Sequence, residues 1–128
     1  MKKILMLFAL VVAPLFSQAQ NSNTISVTTQ PHNQYYRYNF GMVTVNFSNS
    51  VDFILTAEGP EPTQIRSFSV GGIMYDGSTN CPVVLSPGKS CTFRVTFWPF
   101  HDGFFSGQLN IYMATSSIFI DLSGWGRL

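Results

Sequence analysis

Short segments of this chain alternate apolar and polar residues, and this period of two is the feature that most limits its fold. From residue 91 onward, one side of an extended segment carries Cys91, Phe93, Val95 and Phe97, and the other carries Thr92, Arg94, Thr96 and Trp98. Successive side chains of a β-strand point to opposite faces, so one face of this segment suits a core. The chain lacks the 3.6-residue period of an amphipathic helix in any long window. The sequence therefore predicts an all-β protein.

About seven segments have this strand character. They cover residues 25–28, 42–47, 51–56, 65–70, 91–98, 109–113 and 118–122. The last two strands turn Leu109, Ile111, Met113, Ile118, Ile120 and Leu122 inward, and the earlier strands contribute Val43, Val45, Phe47, Val51, Phe53, Leu55, Phe68 and Val70 to the predicted core.

Turn sequences rich in Gly and Pro separate the strands, for example residues 58–62 (EGPEP), 76–80 (DGSTN) and 86–88 (SPG). Short strands with turns every 8 to 12 residues are typical of an antiparallel sandwich and not of a fold with crossover helices. Seven strands in about 100 residues indicate an immunoglobulin-like β-sandwich. The Cys-Trp-Cys spacing of antibody domains is absent, because the two cysteines lie close together in the sequence.

The first 19 residues have the pattern of a secretory signal. Lys2 and Lys3 precede an apolar run that ends at Phe16, and the small residues Ser17 and Ala19 fit a signal peptidase site. The apolar run is too short to span a bilayer as a helix. We expect cleavage after Ala19, which leaves a single domain of residues 20–128 without an integral membrane segment. The protein is then exported, and it is periplasmic or secreted.

The two cysteines, Cys81 and Cys91, both lie in the part predicted to be exported. An oxidising compartment allows such a pair to close into a disulfide. The alternative is a pair of free thiols that bind metal or exchange electrons, but the chain has neither a further cysteine nor C-x-x-C spacing. The sequence therefore favours a structural disulfide.

Several short motifs in the second half of the chain occur in the order and spacing of a known family. They are Cys81, the run from Leu85 to Cys91 (LSPGKSC), Phe97-Trp98-Pro99, Gly103-Phe104, Leu109-Asn110-Ile111 and the run from Leu122 to Gly126 (LSGWG). The pattern resembles the abnormal-spindle/hydin (ASH-like) type of immunoglobulin-like domain, in the exported bacterial version called choice-of-anchor D. The resemblance covers residues 36–127, although Ala57 stands where the family usually has Asn. It implies a non-catalytic sandwich for protein interaction or spacing, with no common cofactor.

Charge and catalytic motifs limit the possible functions further. With 7 Lys and Arg against 6 Asp and Glu, the chain lacks the basic field that holds nucleic acid. His101 and Asp102 are sequence neighbours whose side chains diverge, so they do not form the base and carboxylate of a triad. Glu58 and Glu61 share a solvated loop, without the burial that distinguishes the acid from the base in a glycosidase pair. We therefore predict no enzyme activity, no metal site and no cofactor.

The candidate functional surface is aromatic, because aromatic residues make up 15% of the chain, more than a small sandwich easily hides. The candidate partner-binding residues are Tyr35, Tyr36, Arg37, Tyr38, Trp98, Phe100, Phe104, Phe105, Tyr112 and Phe119. Aromatic residues and Arg are the types enriched in interface hot spots. The favoured hypothesis is binding of another exported or envelope protein, through these residues or an unpaired edge strand. The alternative is a carbohydrate-binding sandwich for a polysaccharide, which a coplanar row of exposed rings would favour.

Overall fold

The computed structural model describes residues 22–128, and every regular element in this part of the chain is a β-strand. The strands are β1 Ser22–Thr28, β2 Gln34–Thr44, β3 Asn49–Thr56, β4 Thr63–Gly71, β5 Tyr75–Thr79, β6 Val84–Leu85, β7 Ser90–Phe97, β8 Gly103–Met113 and β9 Ser117–Arg127. The signal predicted for residues 1–19 lies outside the described residues. Cleavage after Ala19 and a domain of residues 20–128 therefore stay predictions.

The strands form two sheets that pack face to face. The four-stranded sheet has the order β1-β3-β7-β5, and the five-stranded sheet has the order β2-β9-β8-β4-β6. Between them lies one cluster of buried apolar side chains that draws on both sheets. This arrangement confirms the predicted all-β, immunoglobulin-like sandwich.

Two strand pairs are parallel, which the sequence analysis did not predict. β1 runs parallel to β3, and β2 runs parallel to β9. The remaining pairs, such as β3 with β7 and β8 with β9, are antiparallel. β1 and β2 each lie at the edge of their sheet and are joined by the short segment 29–33. The chain thus passes from one sheet to the other along one side of the sandwich.

The structure has nine strands instead of about seven, because β5 and β6 were not predicted. β5 lies in a segment of turn-like composition, yet it pairs with β7 from Tyr75 opposite Phe97 to Thr79 opposite Phe93. It is an edge strand, so it needs only a few inward side chains. Tyr75 supplies one of them, and Gly77 leaves the space that the Val70 side chain occupies. β6 is a two-residue strand next to β4, at the edge of the five-stranded sheet.

Most of the predicted core is confirmed. The buried residues include Cys91, Phe93, Val95 and Phe97 of β7, and Leu109, Ile111, Met113, Ile118, Ile120, Leu122, Val43, Val45, Val51, Phe53 and Leu55 elsewhere. Phe68 and Val70 are partly buried and pack against this core. The alternation in the sequence therefore gave the correct inward face for these strands.

The prediction that Phe47 belongs to the core is wrong, because 67% of this residue is exposed. β2 ends at Thr44, and the Phe47 backbone N–H donates to the Thr44 carbonyl at 2.9 Å in a tight turn. Asn46 adopts a φ of 72°, a left-handed conformation that Asn tolerates in turns. The turn interrupts the period of two, so the side chain of Phe47 points outward.

The predicted disulfide between Cys81 and Cys91 is confirmed. Cys91 lies near the start of β7, opposite Leu55 of β3. The segment that carries Cys81 is also hydrogen-bonded to β7, since the Thr92 N–H donates to Asn80 Oδ1 at 2.8 Å. The bridge therefore holds the segment after β5 against the central strand of its sheet.

We expect removal of this bridge to lower the free energy of unfolding. The double variant Cys81→Ala with Cys91→Ala should lose about 3 kcal/mol, because an uncrosslinked chain gains conformational entropy when it unfolds. Urea unfolding of the oxidised wild type, the reduced wild type and the double variant measures the loss. Equal midpoints for the oxidised and reduced protein would contradict a stabilising role.

A second prediction concerns the close approach of the two sheets at Gly124. A Cβ atom at this position would lie 2.5 Å from the Phe97 ring. Gly124→Ala should therefore destabilise the protein by about 1–3 kcal/mol through overpacking. The matched control is Gly71→Ala, where an added Cβ meets no atom within 4 Å. Thermal unfolding should separate the two variants, and an equal effect of both would refute this packing argument.

Candidate interaction surfaces

The outer face of the four-stranded sheet is polar and internally paired. Ser50 bonds with Thr96 at 2.8 Å, and Thr56 bonds with Ser90 at 2.6 Å, each across the β3–β7 ladder. Between them, the Arg94 guanidinium donates to both carboxylate oxygens of Asp52, at 2.7 and 3.0 Å. Paired groups have little to offer a partner, so this face is a poor candidate for binding.

The outer face of the five-stranded sheet carries aromatic side chains at both of its ends. The first group, which we call the tyrosine cluster, consists of Tyr35 of β2, Phe119 of β9 and Tyr112 of β8. The Tyr35 and Phe119 rings stack at 5.3 Å, and the Phe119 and Tyr112 rings meet edge to face at 6.1 Å. Tyr35 is 73% exposed. These residues form a continuous apolar strip across three adjacent strands.

The second group, the tryptophan cluster, consists of Met42, Trp125 and Phe104 at the opposite end of the same face. Met42 lies opposite Trp125 in the β2–β9 pairing, and Phe104 lies opposite Trp125 in the β8–β9 pairing. The Trp125 and Phe104 rings are 5.1 Å apart and tilted by 57°. All three side chains are exposed. The cluster therefore repeats the arrangement of the first, one side chain from each of the same three strands.

A polar depression of about 640 Å³ separates the two clusters. Arg37, Asp121 and Gln108 lie in one row across β2, β9 and β8. The Gln108 amide donates to Asp121 Oδ1 at 3.0 Å. Ser106, Ser123 and Gly71, whose side chains are small or absent, also line the depression. The face as a whole thus has apolar ends and a charged, hydrogen-bonding middle.

Three of the predicted partner-binding residues have the inward phase of the five-stranded sheet, although Tyr36, on the edge strand β2, is 40% exposed. Tyr38 contacts Phe40 and Phe53 edge to face, at 4.9 and 5.9 Å. Phe105 packs against the core, and Tyr36 donates from its hydroxyl to Gln34 Oε1. Arg37, Tyr35, Phe104, Tyr112 and Phe119 lie on the outer face. The sequence analysis missed Met42 and Trp125, although both continue the outward phase of their strands.

The remaining two predicted residues, Trp98 and Phe100, lie at one end of the sandwich, beyond β7. Their rings are 5.2 Å apart and both are about half exposed. Phe47 and Ile73, which were not predicted, are exposed in neighbouring loops at 67% and 73%. The sequence could have indicated that these two residues are exposed, since each is a large apolar side chain within a segment of turn residues.

In residues 22–128, no group of three or more His, Cys, Asp or Glu side chains lies close enough together to bind a metal ion. Glu58 and Glu61 both line a depression of about 450 Å³ at the end of the sandwich away from Trp98. None of the described residues belongs to a helix that could span a membrane.

Comparison of the sequence with family models and with curated proteins finds no match. Among solved structures, the fold is similar to part of the secreted serine protease VesC from Vibrio cholerae, with 16% identity, a TM-score of 0.55 and coverage of 69% of this chain and 21% of that chain. It is also similar to part of a family 123 glycoside hydrolase from Clostridium perfringens, with 10% identity, a TM-score of 0.56 and coverage of 72% and 23%. The chain therefore spans less than a quarter of either protein.

A third structure, the ASH/PapD-like domain of human CEP192, matches over 95% of this chain and 96% of that domain. Its identity is 12% and its TM-score is 0.45, too low to support an argument. At these identities the comparisons show the shared sandwich fold alone. The ASH-like family and its exported choice-of-anchor D version stay predictions.

We expect the ion pair on the polar face to make stability depend on pH. Hydrogen bonds from Arg94 hold the pKa of the Asp52 carboxyl below its usual range, although partial burial opposes this shift. A lowered pKa in the folded state stabilises the protein above the unfolded pKa, and this stability is lost as the pH falls below about 4. Asp52→Asn should therefore cost less than about 1 kcal/mol at pH 7, because Arg94 is half exposed and solvent screens the pair.

Urea unfolding between pH 7 and pH 3 measures this dependence. The difference between wild type and Asp52→Asn should shrink toward the acidic end of the range. Asp102→Asn, which removes a carboxylate from the exposed loop before β8, is the matched control. A difference that stays constant with pH for Asp52→Asn would contradict the role of the ion pair.

Proposed function

We propose that this chain is a non-catalytic, exported module that binds another exported or envelope protein through the outer face of its five-stranded sheet. The observation that supports this most strongly is the contrast between the two outer faces. One face has hydroxyl and charged groups that bond to one another, whereas the other exposes two aromatic clusters. Exposed contiguous apolar surface on a small domain is a mark of an interaction site.

The chemistry of the aromatic face suits a protein partner. Tyr, Trp and Arg are the residues most enriched in binding hot spots. Here they project from paired strands of a sheet, so little backbone entropy is lost when a partner binds. The Arg37, Asp121 and Gln108 row between the clusters supplies charges and amide groups that fix the orientation of a partner.

Dimensions of the face also favour a macromolecule. Phe119 and Trp125, one from each cluster, are six residues apart on β9, which corresponds to about 20 Å along the strand. A partner that contacts both clusters must cover the polar depression between them. An interface of this length is typical of protein surfaces.

Ring geometry argues for protein and against the polysaccharide alternative. Stacking sugars requires open, coplanar ring faces. The Tyr35 and Phe119 rings instead stack on each other, while the other two ring pairs are inclined at 79° and 57°. The surface is thus an irregular apolar patch and not a flat sugar platform.

Export is supported by the disulfide and by the predicted signal. The Cys81–Cys91 bridge is a type of crosslink that persists in oxidising compartments and is rare where thiols are kept reduced. The absence of catalytic motifs in the sequence supports a binding role. The proposed partner is therefore a protein of the same compartment.

Site-specific crosslinking tests this proposal. We expect a photoreactive phenylalanine at position 35 or 125 of residues 20–128 to capture a discrete protein from an envelope extract. The same group at Val83, an exposed apolar position off the aromatic face, should not capture it. In affinity capture, the double variant Tyr35→Ala with Trp125→Ala should retain the partner about tenfold less, the loss expected for hot-spot side chains.

The matched control for affinity capture is Val83→Ala. Equal retention of the partner by the double variant and this control would refute the proposed face. Retention of polysaccharide without protein would replace the proposal with the carbohydrate alternative.

A further inference from the structure

A second apolar surface lies at one end of the sandwich, where it adjoins the tryptophan cluster: Trp125 lies opposite Phe104, and the neighbouring Gly126 is packed against Pro99 and the His101 carbonyl. This second surface consists of Phe47, Ile73, Trp98 and Phe100, which we call the loop end. These residues come from three loops, between β2 and β3, between β4 and β5, and between β7 and β8. Their exposed fractions are 67%, 73%, 49% and 51%. Four large apolar side chains are thus exposed together without a strand or sheet to present them.

Backbone hydrogen bonds tie the three loops to one another. The Asn46 N–H donates to the Pro99 carbonyl at 2.9 Å, and the Trp98 N–H donates to the Met74 carbonyl at 2.8 Å. The Phe100 N–H faces the Met74 sulfur at 3.2 Å. These bonds pair backbone groups that would otherwise need water. The loop end can therefore enter a poorly hydrated environment at a lower cost.

Left-handed backbone conformations turn two of the side chains outward. Asn46 has a φ of 72° directly before Phe47, and Met74 has a φ of 76° directly after Ile73. Such conformations are uncommon for residues other than glycine, and for Met they carry a cost. The loops have these unfavourable conformations, and the adjacent Phe47 and Ile73 are exposed. The exposure is therefore a consequence of the loop geometry, not of a frayed chain end.

The loop end has no formal charge. Residues 44–48, 71–75 and 96–100 contain no Asp, Glu, Lys or Arg. The first charged residues beyond these segments include Asp76 and Asp102, and Arg127 lies at the end of β9. Arg94 and His101 also flank the third segment, so acidic and basic groups are mixed around the loop end. Electrostatic attraction therefore does not favour binding of an anionic surface to the loop end. A surface with no net charge can contact it without an electrostatic penalty.

We propose that the loop end inserts into the interfacial region of a zwitterionic lipid bilayer. Trp and Phe partition favourably at the boundary between headgroups and acyl chains, where rings need no matching pocket. Three separate loops with one or two large side chains each form a protruding surface, which suits a fluid interface. A protein interface of the same size would carry a polar rim and about one hydrogen bond per 100–200 Å². The uncharged, internally bonded loops offer few such groups.

This proposal does not rest on the proposed function, although the loop end and the tryptophan cluster lie at the same end of the sandwich. Binding through the loop end leaves the tyrosine cluster away from the lipid and free for a partner. Trp98 then lies in the interface, while Trp125, which projects from the sheet two residues before the end of β9, lies near the interface but less deep. The two tryptophans of the chain thus report on the orientation of the bound protein.

Vesicle binding with two single-tryptophan variants tests the orientation. Residues 20–128 contain all nine strands and the disulfide, so this fragment is used in order to exclude the apolar leader. Trp125→Phe retains the reporter at the loop end, and Trp98→Phe retains the reporter on the sheet. With vesicles of brominated phosphatidylcholine, we expect clearly stronger fluorescence quenching of Trp98 than of Trp125.

Partition into phosphatidylcholine vesicles tests the residues themselves. The double variant Phe47→Ser with Ile73→Ser should partition about tenfold less than the wild type or more, since it removes two large apolar side chains from the interface. Val83→Ser, which changes an exposed apolar residue elsewhere, should partition like the wild type. Raising the salt concentration, or adding phosphatidylglycerol, should not strengthen binding. Thermal unfolding confirms that all variants are folded.

Three results would overturn the proposal. The first is a wild-type fragment that does not sediment with phosphatidylcholine vesicles. The second is quenching of Trp125 equal to or stronger than that of Trp98, because the loop end would then not be the deepest part of the bound protein. The third is a concentration-dependent dimer that Phe47→Ser with Ile73→Ser abolishes, because the loop end would then contact a second copy. Crosslinking from position 35 tests the proposed function separately from all three.

Discussion

The packing of Phe97 between the two sheets is the contact on which much of this structure depends. Its ring, at the end of β7, stacks on Tyr75 at 4.9 Å and lies 5.6 Å from Phe40 in the opposite sheet. On its other side the ring approaches Gly124 so closely that a Cβ there would overlap it. A ring buried between the layers thus sets their local separation and requires glycine in β9. Because dense interiors have little spare volume, substitutions around Phe97 are expected to be costly.

The same packing explains why so many aromatic residues are exposed. Phe40, Phe53, Phe93 and Phe97 are buried, and Tyr38, Phe68, Tyr75 and Phe105 already pack against this core, which leaves little room for further rings. The alternation of each strand then sends the next aromatic residues outward. On the outer face of the five-stranded sheet, Trp125 of β9 lies beside Phe104 of β8. The outer face of the other sheet instead carries hydroxyl groups, such as those of Ser50 and Thr96. Of the two outer faces, that of the five-stranded sheet therefore has the apolar surface.

The features that depend on the alternation of apolar and polar residues were predicted correctly from the sequence. It gave the inward side of β7, β8 and β9, the disulfide and the sandwich. It did not predict the parallel pairs, because alternation assigns a residue to a face and says nothing about the neighbouring strand. β5 was missed because an edge strand tolerates Asp, Gly and Ser. Phe47 was placed in the core because the period of two was continued beyond Thr44, where a left-handed Asn46 ends it. In the loop end, Trp98 and Phe100 were predicted as partner-binding residues, whereas Phe47 was missed for this reason and Ile73 was not singled out.

The two exposed apolar surfaces differ in what holds their side chains, and this difference bears on their roles. The tyrosine and tryptophan clusters stand on paired strands whose spacing is fixed by the sheet, so their rings keep constant separations. Such a surface can match one partner closely, with Arg37 and Asp121 between the clusters to select it. The loop end has its bulky side chains on three loops linked by a few backbone bonds. A surface of this kind, without charges to set direction, is suited to a medium that needs no exact fit. The fold therefore separates a surface capable of specificity from one capable only of apolar attachment.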